Sequence, residues 1–295
     1  VIKVDNVTLQ YSNGKGIFDV DFEVNEGQVM GYLGPNGSGK TTTIRALLGF
    51  MKPNKGACTI NGMDCIKDAP EIQKNLGYIP GEIAFLDGMN GDEFLKFMCD
   101  MRGTKDLKLQ KQLLEMFDLN PKGKIKKFSK GMKQKLGIVT AFMHDPEILI
   151  LDEPTSGLDP LMQNRFIELI MEEKTRGKTI LMSSHIIEEV EKTCDTVAII
   201  RNGRIVKQSD VGFLKSTQRK GFIISTDNLE SAVQILNGAG FENLSVVGKN
   251  IEIFVAVDQI DRLVKTISNF TISDITFKSQ SMEEIFIQFY NGEEE

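Results

Sequence analysis

Eight consecutive residues, Gly34-Pro35-Asn36-Gly37-Ser38-Gly39-Lys40-Thr41, carry the most specific chemistry in the chain. They follow G-x-x-x-x-G-K-[ST], a spacing in which glycines free backbone N–H groups to wrap a di- or triphosphate. The lysine then reaches the outer phosphates as a point charge, and the threonine hydroxyl can ligate Mg²⁺. At average residue usage the four fixed positions coincide by chance in about one chain of this length in a hundred, before any structural context is required. Far downstream, the apolar run Ile148-Leu149-Ile150-Leu151 ends in Asp152-Glu153, and Thr179-Ile180-Leu181-Met182-Ser183-Ser184 ends in His185. Two acids at a strand end meet the needs of phosphate-ester hydrolysis: Asp152 to hold Mg²⁺ through water, Glu153 to orient and polarise the attacking water. A lone histidine at a strand end reads as structural; beside these groups, His185 reads as a contact to the γ-phosphate or to the water.

These groups need a scaffold that brings strand ends together. Gln28–Leu33 reads as a strand and Thr42–Leu48 as a helix, which puts the glycine loop in the strand-to-helix setting its chemistry requires. The 148–153 run has the continuous apolarity of a central parallel strand, and 179–185 repeats it. Val197-Ala198-Ile199-Ile200, the turn Asn202-Gly203 and Arg204-Ile205-Val206 form a hairpin pattern. Ahead of the loop, Phe18, Val20, Phe22 and Val24 alternate with Asp19, Asp21 and Glu23, the period of a half-exposed antiparallel strand. Tyr11, just before the turn Asn13–Gly16, reads as a packing residue or as an aromatic that stacks on a base. Ala57–Gly62 suggests a short strand, and Leu76–Ile79 a buried one that stops at Pro80.

Between about Gly91 and Met143 the period is helical. Phe94, Phe97, Met98 and Met101 share one stripe, and Leu109, Leu113, Met116 and Phe117 another, with the methionines read as core filler. Seven lysines lie between Lys122 and Lys135; they read either as attraction to nucleotide phosphates or an anionic membrane surface, or as a solvated face. Past Ser216 the pattern becomes strand 221–226, helix 228–238, strands 241–247 and 250–256, helix 258–269 and strand 271–277. That β-α-β-β-α-β order is ferredoxin-like, and an amphipathic helix Ser281–Tyr290 and a frayed Glu293–Glu295 tail follow it. The domain boundary falls near Lys215 to Lys220.

Composition narrows the function classes. A length of 295 residues suits one large domain and one small one, and 41% hydrophobic with 26% charged residues is ordinary for a globular protein. A net charge of -6 argues against a broad nucleic-acid footprint. Four scattered cysteines, Cys58, Cys65, Cys99 and Cys194, read as free thiols in a reducing compartment. No run is long enough to span a bilayer and no signal peptide is seen, so if the chain serves a membrane, another chain must cross it.

On these residues the chain resembles the ATP-binding subunits of ABC transporters. Ser129-Lys130-Gly131-Met132-Lys133-Gln134 resembles the family's signature segment, Glu153-Pro154 closes its Walker B strand, and Ser156-Gly157-Leu158-Asp159 matches its D-loop. His185 matches the switch histidine and Tyr11 the adenine-stacking aromatic. The resemblance covers about residues 1 to 215. It implies an α/β P-loop NTPase of ABC type, with a mixed-sheet core, an antiparallel β subdomain and a helical subdomain at about 88–143, ahead of the α+β ferredoxin-like domain at 216–295.

For function, the resemblance implies ATP and Mg²⁺, with Glu153 and His185 catalytic. Tyr11, Gly34 to Thr41 and Thr42 would bind ATP, and Thr41 and Asp152 the metal. Each ATP would be sandwiched between the phosphate loop of one subunit and Ser129, Gly131 and Asp159 of another, in a homodimer or in a pair with a second ATPase chain. The dimer would power a separate transmembrane permease on the cytoplasmic face of the cell membrane. Two departures stand out. Gly81 occupies the position of the family's loop glutamine, followed by Glu82, which either substitutes as a metal ligand or leaves the loop to act through its backbone; Lys130 and Met132 replace the signature's usual Gly and Gln. The Pro80-Gly81-Glu82 form and the ending Ser281–Phe286 resemble the ABC-2 exporter branch. A soluble ABC ATPase of repair or ribosomes is a rival, opposed by a single cassette, no sustained heptads and net acidity. An effector-gated regulatory ATPase is another, suggested by the C-terminal domain.

Overall fold

The computed structural model describes residues 1–86, 88–216, 220–241 and 244–279, and the chain divides into two compact units, Val1–Val211 and Gly212–Glu295. The first begins with β1 (Ile2–Gln10), β2 (Gly16–Val24), β3 (Val29–Leu33), α1 (Lys40–Leu47), β4 (Lys55–Ile60), β5 (Met63–Asp64), α2 (Ala69–Lys74) and β6 (Leu76–Ile79). Three helices follow, α3 (Gly91–Arg102), α4 (Lys108–Met116) and α5 (Lys130–Phe142). It continues with β7 (Ile148–Asp152), α6 (Pro160–Thr175), β8 (Thr179–Ser184), α7 (Ile187–Thr193), β9 (Thr196–Arg201) and β10 (Arg204–Asp210), and α8 (Val211–Ser216) starts at the junction.

A six-stranded sheet runs β10-β9-β3-β8-β7-β6, parallel except for the β9–β10 hairpin. Every residue of β3, β7 and β8 is buried, which is why these strands read as unbroken apolar runs. Because they are parallel neighbours, their C-terminal ends meet at one sheet edge, where α/β folds place their ligands. A second sheet, β2-β1-β4-β5, is antiparallel, and β2 buries Val20, Phe22 and Val24 while exposing Asp19, Asp21 and Glu23. One apolar core joins the sheets through Ile2, Val4 and Phe22 on one side and Tyr32, Ile44 and Ile150 on the other.

Two turns show asparagine and glycine at work. Asn202 and Gly203, both at positive φ, connect β9 to β10, and Asn61 and Gly62 do the same between β4 and β5. Such two-residue turns match the right-handed strand twist. Asn61 and Gly62 therefore end the strand that the sequence pattern carries through them.

The helical segment corrects one expected stripe. The structure buries Phe94, Leu95 and Cys99 of α3 and leaves Phe97 36% and Met101 69% exposed. Helix α3 is bounded by a full capping box, Asn90 with Glu93, and by Gly103 in the left-handed conformation. Its apolar residues occupy more than half the circumference, so two stripes compete, and packing takes the one through Leu95 and Cys99. In α4 the stripe stands as read, with Leu113 and Phe117 buried and Leu109 and Met116 half-buried.

The second unit contains β11 (Lys220–Ser225), α9 (Leu229–Gly238), β12 (Leu244–Val247), β13 (Asn250–Val255), α10 (Ile260–Ile267) and β14 (Asp274–Ser279). Its sheet order is β12-β13-β11-β14 with every pair antiparallel, which is the ferredoxin-like topology. Phe222, Ile224, Ile251 and Ile253 of the sheet pack on Ala232, Leu236, Leu263 and Ile267 of the helices. The helix expected at Ser281–Tyr290, the Ser281–Phe286 ending and the Glu293–Glu295 tail lie outside the described residues, as does part of the expected boundary segment.

Candidate active site

The phosphate loop spans the gap between β3 and α1. Gly39 caps α1 at φ 117°, a conformation that side chains rarely adopt, and a Cβ there would lie 2.7 Å from Ile17 Cγ2. Gly203 N, in the β9–β10 turn, donates to Ser38 O at 2.8 Å. The hairpin therefore buttresses the loop from outside. Lys40, 5% exposed, donates from Nζ to Gly34 O at 2.6 Å and lies 3.1 Å from Glu153 Oε1 as an ion pair without hydrogen-bond alignment.

The strand ends converge on this lysine and its neighbour. Thr41 Oγ1 donates to Asp152 Oδ2 at 2.7 Å, and Ser183 Oγ donates to Asp152 Oδ1 at 2.5 Å. Ser183 Oγ also accepts from Glu153 N at 3.0 Å, so one hydroxyl links both acids. Glu153 takes φ 49°, a left-handed turn that carries its carboxylate away from the strand direction. His185 Nδ1 lies 2.5 Å from Glu153 Oε2. Burial, with the Asp152 charge adding to it, pushes the Tyr78 phenol up to about 12.

An open pocket of about 420 Å³ lies against these groups, lined by Tyr11, Pro35, Gly37, Lys40, Thr42 and Glu153 among others. Tyr11 OH is 3.3 Å from Thr42 Oγ1 and 3.4 Å from Met51 Sδ, which fixes the ring at the pocket's side. Ser38 Oγ is buried with no hydrogen-bond partner. An orphaned hydroxyl, a buried lysine resting on loop carbonyls and a hydroxyl–carboxylate pair of hard oxygens fit a polyphosphate and Mg²⁺.

Three expected binding residues stand apart from this pocket. Ser129 caps α5, its Oγ accepting from Met132 N at 3.2 Å, and Asp159 caps α6, its Oδ1 accepting from Met162 N at 3.0 Å; both are exposed. Gly131 lies against Gly157, where a Cβ would meet Gly157 O at 3.0 Å, and Lys130 Nζ donates to Ser156 Oγ at 3.0 Å. None of the three lines the pocket. Glu82 is exposed as well, whereas a Cβ on Gly81 would sit 3.0 Å from Asp152 Oδ2. It is thus the Gly81 backbone that abuts the acidic strand end.

Two residues already inside the quoted segments make contacts that those motifs do not announce. Ser183 follows the apolar Ile180-Leu181-Met182 stretch with a hydroxyl, one place before the last strand residue, and that switch to polarity was the available signal. Gln134, 4% exposed, donates from Nε2 to Pro154 O at 2.6 Å and so ties α5 to the segment after Glu153; nothing in its local spacing announces this.

The ABC transporter family profile matches residues 17–156. The bacitracin transport ATP-binding protein BcrA of Bacillus licheniformis is 33% identical over 299 residues, covering 99% of this chain and 98% of that protein. A solved structure described as the ATP binding subunit of an ABC transporter shares 33% identity with a TM-score of 0.67, covering 73% of this chain and 92% of that one. The fold also matches the dimeric ATP-binding cassette MJ0796 bound to ADP and Pi, at a TM-score of 0.66 and 20% identity over 72% of this chain and 99% of that one. With a strand-end acid pair, a lysine-bearing phosphate loop and relatives that run its full length, this chain belongs to the ABC transporter family as an ATP-binding subunit.

Proposed function

We propose that Glu153 is the general base of ATP hydrolysis in this chain and that each catalytic site is completed by Ser129, Gly131 and Asp159 of a second subunit. The observation that carries this is the separation within one chain: a pocket bounded by Lys40 and Glu153, and an exposed Ser129–Asp159 surface that does not reach it. Helix caps with free N–H groups and a serine hydroxyl suit an incoming γ-phosphate. The partner is another copy or a second ATPase chain.

ATP enters with its base against Tyr11 and its phosphates in the 34–41 loop. Lys40 exchanges its contacts with Gly34 O and Glu153 for the outer phosphates, which leaves the Glu153 carboxylate for a water. That water, its proton drawn to Glu153, attacks the γ-phosphorus; the bond to the β,γ-bridging oxygen breaks, and ADP and inorganic phosphate leave. His185, hydrogen-bonded to Glu153, holds the carboxylate in the orientation that receives the water's proton. Thr41 and Asp152 would hold Mg²⁺, which neutralises phosphate charge when bound; Glu82, exposed beside Gly81, is the remaining candidate ligand.

The work of this cycle goes to a separate membrane-spanning permease, in the direction of export, with the chain docked on the cytoplasmic face of the membrane. Among the described residues no helix is long and apolar enough to cross a bilayer. The exposed Leu86, Phe97 and Met101 of the helical segment and its entry loop offer the permease an apolar landing site. Substituting Glu153→Gln tests the base: ATP binding should survive, turnover should fall by about 10³-fold, and an ATP-dependent dimer should accumulate on size exclusion. Turnover at the parent rate would remove Glu153 from the role.

A further inference from the structure

We infer that Glu189, a carboxyl group the mechanism above does not use, is a positioning residue for His185: it anchors the hydrogen-bonded turn on which the histidine stands. The inference rests on the reading of Glu153 and His185 as the pair that handles the water.

The His185 side chain is 53% exposed, so packing does not hold it where it meets Glu153. Its turn does. Ser184 Oγ accepts from Ile186 N at 2.9 Å and donates to Glu189 Oε2 at 3.0 Å, a relay that brackets His185 on both sides in sequence. A hydroxyl has a single proton to give. Its other acceptor, Ile186 O, is 3.4 Å away, so the carboxyl decides where that proton points and leaves the lone pairs for the Ile186 N–H.

Glu189 is itself well fixed. It lies in the first turn of α7, 3% exposed, and its backbone carbonyl accepts from Thr193 Oγ1 at 2.7 Å. Its Oε1 is buried and closes no hydrogen bond of good geometry, with the buried Thr155 side chain beside the carboxyl. Thr155 follows Glu153 by one intervening residue, so Glu189 stands between the two segments that carry the reacting pair. Burial pushes this carboxyl above its usual range, and the neighbouring Thr155 and Ser184 hydroxyls pull the other way. Glutamine keeps a side-chain oxygen to accept from Ser184 Oγ in this buried place, and leucine does not.

The test measures ATP turnover and thermal unfolding of the full chain. Glu189→Leu should lower kcat about 10- to 100-fold while the KM for ATP stays within about twofold, and Glu189→Gln should stay within about threefold of the parent. In a His185→Ala background, Glu189→Leu should cost less than about a further twofold, because both changes act through the same imidazole. Parent-like kcat in Glu189→Leu, or multiplying losses in the double variant, would overturn the inference. If Glu189→Leu does not fold, Ser184→Ala decides on the same two readouts: a lowered kcat that His185→Ala does not deepen supports the relay, and parent-like kcat overturns it. Glu153→Gln is run alongside. Retained turnover there overturns the underlying mechanism and this role with it, whereas blocked turnover beside an active Glu189→Leu removes the Glu189 role alone.

Discussion

Two regions of the first unit carry the family's binding motifs, and they are built in opposite ways. Around the phosphate loop every charged group has found a partner within the chain: Lys40 with Glu153, Thr41 and Ser183 with Asp152, His185 with Glu153. Ser129 and Asp159 cap their own helices at the surface, and their neighbours Lys130 and Ser156 pair with each other and not with the pocket. The first region has the construction of a core and the second that of an interface. On the proposed reading, a single chain stabilises the half of the site that holds the nucleotide and displays the half that another chain would use.

The largest expected effect comes from breaking the first region. Lys40→Ala should abolish nucleotide-driven dimerisation and lower turnover by at least about 10³-fold, since both depend on the phosphates being held. Light scattering with and without ATP reads the first, phosphate release the second. Breaking the displayed region should separate the two functions. Ser129→Arg should leave ATP binding to the isolated chain within about twofold and reduce turnover about 100-fold or more. Mixing the Lys40→Ala and Ser129→Arg chains then sharpens the comparison, because one interface of the mixed pair combines an intact loop with an intact serine. Partial recovery of turnover on mixing is expected, and its absence would show that the halves act in the same chain.

Smaller effects follow at the boundary between them. Gly81→Gln places a Cβ 3.0 Å from Asp152 Oδ2, so the acid must shift by a few tenths of an ångström. The expected result is a several-fold change in the Mg²⁺ concentration needed for half-maximal turnover, with kcat altered less than about fivefold. A change that touches neither region serves as the control. His144, whose Nε2 accepts from Arg102 at 2.8 Å, is pushed down to about 4 by burial and by the Arg102 charge. The folded state therefore resists protonation that the unfolded chain accepts at about 6.5. Its contribution is intact above that pH and is lost as pH falls from about 6.5 to about 4, which amounts to about 1–2 kcal/mol for a side chain that keeps some solvent contact. His144→Gln should flatten the fall in Tm over this window and leave turnover at pH 7.5 unchanged.

Much of this was legible in the residues themselves. The loop, the acid pair and His185 announce themselves because phosphate chemistry fixes both residue types and spacing, and parallel apolar runs can deliver them only to a common sheet edge. The β-α-β-β-α-β order was equally readable from alternation and turn signals. What spacing could not supply was the partner choice of long-range contacts. That Lys40 meets Glu153, or that Ser183 bridges two acids, depends on strand order, which no local window contains. The buried face of α3 was misplaced for a related reason: both candidate stripes are apolar, and only the neighbouring helices decide between them.

The Gly203 N to Ser38 O hydrogen bond has a kinetic consequence. A loop already clamped by a hairpin has no ordering step left to perform when a nucleotide arrives. Capture should then proceed in one phase whose observed rate rises linearly with ATP concentration, with no plateau from a preceding isomerisation. Stopped-flow mixing with a fluorescent ATP analogue would reveal such a plateau if the loop had to reorganise. Loosening the clamp with Gly203→Ala, whose added carbon would lie 2.2 Å from Gly16 O, should introduce one. The delay in the cycle of this subunit would then lie in the meeting of two chains and not in the filling of either.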